Sequence, residues 1–110
     1  MPYASGHASG QVSDRLTLVV DPGHAWLRVP LVEIARLGIE DQISAYSYIN
    51  GNYAYLEEDS DAGRYQAARQ AQGHPPPTIH IQHVACFNHK QTPFDNGRFP
   101  PEFWDKLRSK

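Results

Sequence analysis

The 110-residue chain has one cysteine, Cys86, so no intrachain disulfide can brace the fold. It also lacks any uninterrupted apolar run approaching the ~18 residues of a membrane span, which excludes a spanning helix. The N-terminal stretch Met1-Pro2-Tyr3-Ala4-Ser5-Gly6-His7 has neither a charged n-region nor an apolar h-region, and a cytoplasmic location is therefore expected. No charge of one sign dominates, because 10 Lys+Arg stand against 12 Asp+Glu for a net of -2. With 40% hydrophobic residues the composition is globular, and an extended disordered chain is excluded. A chain of this size buries roughly two-thirds of its unfolded surface. That suffices for one modest core, but not for a core plus a deep substrate cleft.

The charges are unevenly placed. Residues 30–63 hold Glu33, Glu40, Asp41, Glu57, Glu58, Asp59 and Asp61 against Arg36 alone. The residues beyond hold Arg64, Arg69, Lys90, Arg98, Lys106, Arg108 and Lys110 against Asp95, Glu102 and Asp105. The acidic middle predicts a face presented to a cationic partner and argues against nucleic-acid binding there. Its bland counterpart is a solvated surface with carboxylates at a helix start.

Residues 1–14, rich in Gly, Ser, Ala and His without periodicity, predict a mobile N-terminal arm, and 15–110 a single α+β domain. Leu16-Thr17-Leu18-Val19-Val20 and Ala25-Trp26-Leu27-Arg28-Val29 read as extended segments. Pro22-Gly23 between them suits a type II turn, giving a strand pair or a sharp corner. Pro30 opens a short helix to about residue 37, which Gly38 and Ile39 close. Asp59 or Ser60 can cap a helix running to Gln72. Residues 78–87 read as another strand, and Pro101 to Leu107 as a short C-terminal helix. The expected architecture is an antiparallel sheet of four or five strands, two helices on one face and the C-terminal helix at the edge.

The strongest local pattern is Ala45 to Leu56, where Asn50-Gly51 between alternating runs predicts a two-residue hairpin turn. That register opposes Tyr48 to Tyr53 and Tyr46 to Tyr55, a ladder of phenols on one face that suits protein binding. Glu57, Glu58, Asp59 and Asp61 follow, and with Tyr46, Tyr48, Tyr53 and Tyr55 they form the candidate partner-binding surface. Glu57 and Glu58 precede the helix and are not expected to cap it.

Three segments carry a resemblance: Asp21-Pro22-Gly23-His24-Ala25-Trp26-Leu27, Ala45-Tyr46-Ser47-Tyr48, and Tyr55-Leu56-Glu57-Glu58-Asp59-Ser60-Asp61-Ala62. In this order they resemble a family of short proteobacterial prophage and plasmid proteins over residues 16 to 73. Members usually carry glycine at the position of Ala25 and cysteine at that of Ser60, so cysteine chemistry is excluded at that point of this chain. The resemblance implies a mobile-element setting and a bacterial cytoplasm. The expected role there is that of a small accessory protein acting by protein binding, an inhibitor of a host defence system of restriction or CRISPR type, with a basic host surface as partner.

The alternative is a metal-binding module or metal-dependent hydrolase using His80, His83, Cys86 and His89, all zinc-ligand types. On a strand His80 and Cys86 share one face while His83 takes the other, so no metal or other cofactor is expected. The acids at 57–61 have no second carboxylate cluster or phosphate loop to complete a magnesium site. Whether the chain is an enzyme stays open, leaning to no.

Overall fold

The computed structural model describes residues 12–87, 92–95 and 99–109. The apolar run Arg15–Val20 forms β1, and Ala25–Pro30 forms β2 antiparallel to it, with Leu18 opposite Leu27. The corner between them is not the expected type II turn, since Gly23 is not among the positive-φ glycines. The Asp21 carboxylate shapes it instead, accepting the Gly23 and His24 amides at 2.9 and 2.8 Å.

Helix α1 is Leu31–Leu37, and its first amide donates to the Asn52 carbonyl at 2.8 Å. Gly38 at φ 72° ends it, with Ile39 N–H reaching back to Ile34 O, as the Gly-Ile pair predicts. After a 3-10 turn at Glu40–Gln42 come β3 (Tyr48–Asn50), β4 (Tyr53–Glu57), α2 (Asp61–Ala71), β5 (Thr78–His83), β6 (Thr92–Pro93) and α3 (Pro101–Arg108).

The α+β class holds, but the sheet differs from expectation. Among the described residues it has six strands in the order β5-β1-β2-β4-β3-β6, and it is mixed. β5 lies parallel to β1, with Leu18 beside Ile81, while the other pairs are antiparallel. A strand's composition does not reveal its direction relative to its neighbour, which is why the expected purely antiparallel sheet fails at β5.

The hairpin forms, yet its register is displaced by two. Tyr48 pairs with Tyr55 and Asn50 with Tyr53, so Gly51-Asn52 makes the turn in place of Asn50-Gly51. An even displacement preserves the faces. It therefore keeps Ile49 and Ala54 on one face, now directly opposed where Ser47 was expected opposite Ala54, on the side that Leu56, Val29, Leu27 and Leu16 share. All three helices cover that side, α3 included. Ile34, Tyr65 and Trp104 pack into one core with those strand residues.

Charged side chains brace this core. Glu33, 3% exposed, accepts the Tyr65 hydroxyl at 2.7 Å and the Ser13 amide at 2.9 Å, and also takes the Ser13 hydroxyl. Arg69, 1% exposed, donates to the Tyr65 oxygen at 3.0 Å and to the carbonyls of Ser13 and Pro75. Desolvation and the Glu33 carboxylate hold the Tyr65 phenol far above its ordinary pKa. Arg108 clamps α3, donating to Ala35 O and pairing with Glu40 at 2.6 Å. Of the expected arm, residues 1–11 lie outside the described residues, and Ser13 is tied down by these bonds.

Candidate functional site

Among the described residues the second face of the sheet carries no helix. A short segment after β5 crosses it, and its Phe87 ring stacks on Trp26 with centroids 4.1 Å apart. Tyr55 and Tyr48 flank Phe87 at 5.3 and 5.8 Å. The Asp21 carboxylate, having ordered the β1–β2 corner, accepts the Phe87 amide at 3.0 Å and so pins the segment to the sheet. That hydrogen bond, with those from Gly23 and His24, holds the Asp21 carboxyl below its ordinary pKa against the opposing effect of desolvation.

Beside this cluster opens a cavity of about 480 Å³ lined by His24, Trp26, Tyr46, Tyr48, Glu57, Asp59 and Ser60. Its lining comes from three stretches, at the start of β2, the entry to β3 and the β4–α2 turn, the last two at the open end of the β3–β4 hairpin. A buried polar knot joins the last two. Asp61, fully buried, accepts the Ser44 amide at 3.0 Å and the Ser44 and Ser47 hydroxyls at 2.6 Å. Ser47 Oγ in turn accepts the Glu57 amide at 2.9 Å, and Arg64 offsets the Asp61 charge at 2.9 Å. The Ser44 hydroxyl also accepts the Tyr46 amide at 3.2 Å, which sets the turn that presents Tyr46.

Glu57 is where the sequence reading of the acids needs correction. Its carboxylate does serve the start of α2, accepting the Asp59 and Ser60 amides at 3.0 and 3.1 Å and the Ser60 hydroxyl at 3.2 Å. The expected side-chain cap from Asp59 or Ser60 is absent at this helix start. Asp61 is structural, and Glu58 and Asp59 are the acids that face solvent.

The expected four-tyrosine ladder is not continuous either. Tyr46, 76% exposed, lies before β3 and beside the cavity with Tyr48. Tyr55 packs on Phe87, and Tyr53 lies under the Arg28 guanidinium at 4.9 Å. Of the candidate residues, the structure thus brings Tyr46, Tyr48, Glu57 and Asp59 together. It adds His24 and Trp26, whose motif position was noticed but not tied to the acids. The register that joins them could not be read locally.

Among the described residues no three of His, Cys, Asp and Glu gather as a metal site. His80 and His83 project from opposite faces of β5, Cys86 is exposed, and His89 lies outside the described residues. No helix among the described residues is long and apolar enough to cross a membrane. No protein-family model, curated protein or solved structure matches the chain.

Chemically, the cavity combines aromatic side chains with the Glu57 and Asp59 carboxylates, and among the described residues no lysine or arginine lines it. Such a lining favours an organic cation, which gains from ring quadrupoles and from carboxylate hydrogen bonds together.

Proposed function

We propose that the protein acts by binding another protein, seating a lysine or arginine side chain of a basic partner surface in the cavity between Trp26, Tyr48 and the Glu57–Asp59 turn. The observation that carries this reading is the origin of the lining. Every lining residue falls within the three segments that resemble the prophage and plasmid proteins, two of them flanking the β3–β4 hairpin and the third lying some twenty residues earlier in the chain. The acidic stretch 57–59 adds long-range attraction for a positive surface, and the aromatic walls add short-range selectivity. The motif resemblance supports a host protein as the partner, in a mobile-element setting, with a defence effector as the expected target.

The test needs no knowledge of the partner. Trp26 borders the cavity, so amide chemical shifts and tryptophan fluorescence respond to its filling. Nα-acetyl-lysine amide and Nα-acetyl-arginine amide should bind in the millimolar range expected of a single cation–π and carboxylate contact, at about 1–4 kcal/mol. The apolar norleucine analogue should not bind, and Tyr48→Ala should abolish the difference. Equal responses to the cations and to norleucine, or none to either, would refute the reading.

A further inference from the structure

The sheet's two edges are finished differently. On one side β6 is only Thr92–Pro93, short and ending in a residue with no amide donor, which blunts it against pairing. On the other, all of β5 is exposed, and among the described residues no strand lies beyond it. Among the described residues it has none of the usual protective devices. Its sequence Thr-Ile-His-Ile-Gln-His contains no lysine, proline or acid, and Ile79 and Ile81 are 37% and 53% exposed.

Backbone bonds at its two ends show which groups are free. Thr78 N–H donates to Asp14 O, and Val84 N–H to Val20 O, both at 2.8 Å. Even-numbered residues therefore direct their amides and carbonyls toward β1. By the alternation of a strand, those of Ile79, Ile81 and His83 point away from the sheet.

We infer that β5 pairs antiparallel with β5 of a second copy of this chain, about a two-fold axis normal to the sheet and centred on Ile81. In an antiparallel ladder the residues that exchange hydrogen bonds must both point across the interface. Centring on Ile81 opposes Ile81 to itself and Ile79 to His83 of the second copy. Every outward donor and acceptor of those residues is then used, in about six backbone hydrogen bonds. Shifting the centre one step toward the N-terminus would oppose His83 to Pro77, which has no amide to give.

A second copy fits better than a foreign strand because β5 bears no formal charge. Self-opposition therefore sets no like charges against each other, and an isologous contact closes at two copies. The isoleucines of both copies meet on the helix-bearing side, where each alone lies open to water. The cation-binding cavity lies across β1 from this edge and stays free in such a dimer.

The experiment combines sedimentation velocity with amide hydrogen exchange on the full chain, from about 1 μM to about 1 mM, which brackets the affinities of small interfaces. Dimerisation should slow exchange at Ile79, Ile81 and His83 as concentration rises, while Thr78, His80 and Gln82, already bonded to β1, hold steady. Ile81→Lys places two ammonium groups face to face and should weaken the dimer at least about tenfold. Ile81→Pro removes the central outward donor and leaves the bonds to β1 intact, so it should give the same result. A chain monomeric throughout, or a dimer that both variants leave untouched, would overturn the inference. So would protection of Ile79, Ile81 and His83 that ignores concentration and vanishes when residues 1–11 are removed, since the chain would then cover its own edge. The exchange pattern of the unmutated protein decides the matter even if a variant folds poorly.

Discussion

One face of the sheet is sealed by three helices, while the other holds a single aromatic cluster under one crossing segment. The sealed face contains buried charge, in the Glu33–Tyr65–Arg69 chain, and the open face is fastened by one carboxylate, Asp21. The difference is one of redundancy. Each partner in the sealed network has several bonds within a packed core, so a loss there strands a buried charge. On the open face the segment is held by the Phe87 ring among Trp26, Tyr48 and Tyr55, by its amide on Asp21 and by the Val84 amide on Val20, with no buried charge among these ties, so a loss there releases the segment and leaves the core standing.

Arg69→Ala tests the sealed side most severely, because it removes the buried cation that donates to the Tyr65 oxygen and to the Ser13 and Pro75 carbonyls. A cost of about 3–5 kcal/mol is expected, read by denaturant unfolding. Phe87→Ala should cost about 3 kcal/mol, at the lower end for a buried phenylalanine, because solvent can fill the space left on the open face. The telling measurement is tryptophan fluorescence. It should shift markedly at unchanged far-ultraviolet dichroism, and a cost as large as that of Arg69→Ala would erase the contrast between the faces.

Gly51→Val should cost about 1 kcal/mol or more, since a β-branched residue resists the φ of 61° at the hairpin turn that borders both faces. A neutral result in denaturant titration would contradict the Gly51-Asn52 register. The contribution of Asp21 depends on pH. Its carboxyl titrates lower in the folded state than in the unfolded, so the stabilisation is complete well above the ordinary carboxylate value of 3.8 and is lost as pH falls through the folded value. Asp21→Asn should accordingly flatten the acid limb of a melting-temperature profile, and a limb unchanged by the substitution would remove Asp21 as the fastener. The smallest effect on the fold belongs to Glu58→Gln with Asp59→Asn, expected to stay within about 0.5 kcal/mol because both side chains face solvent. If the acidic turn steers a basic partner, the same pair should slow association at low salt.

Much of the fold was legible where local chemistry decides it. Gly38-Ile39 ended α1, the alternation at 45–56 made a hairpin, and Pro101 opened α3. Long-range choices were not legible. The two-residue displacement of the hairpin keeps every face, so alternation alone cannot distinguish the registers. Core packing and the Asn52 carbonyl's bond to Leu31 accompany the one observed. The parallel placement of β5 depends on a partner more than fifty residues away. Glu33 counted only as part of the acidic middle and Arg69 as part of the basic remainder, because each meets its partners only in the folded chain. The cavity was half visible, since its acids and two of its tyrosines were singled out and their meeting with His24 and Trp26 was not.

The two tryptophans stand one to each side of this divide, Trp26 against Phe87 on the open face and Trp104 in the core beneath α3. The molecule therefore carries an optical probe in each half without any label. Replacing Trp104 by Phe leaves emission that follows only the open face, and replacing Trp26 leaves emission that follows only the sealed core. Melting curves from the two single-tryptophan proteins would coincide if the chain unfolds as one cooperative unit. They would separate, open face first, if the crossing segment can lift away while the helices remain packed.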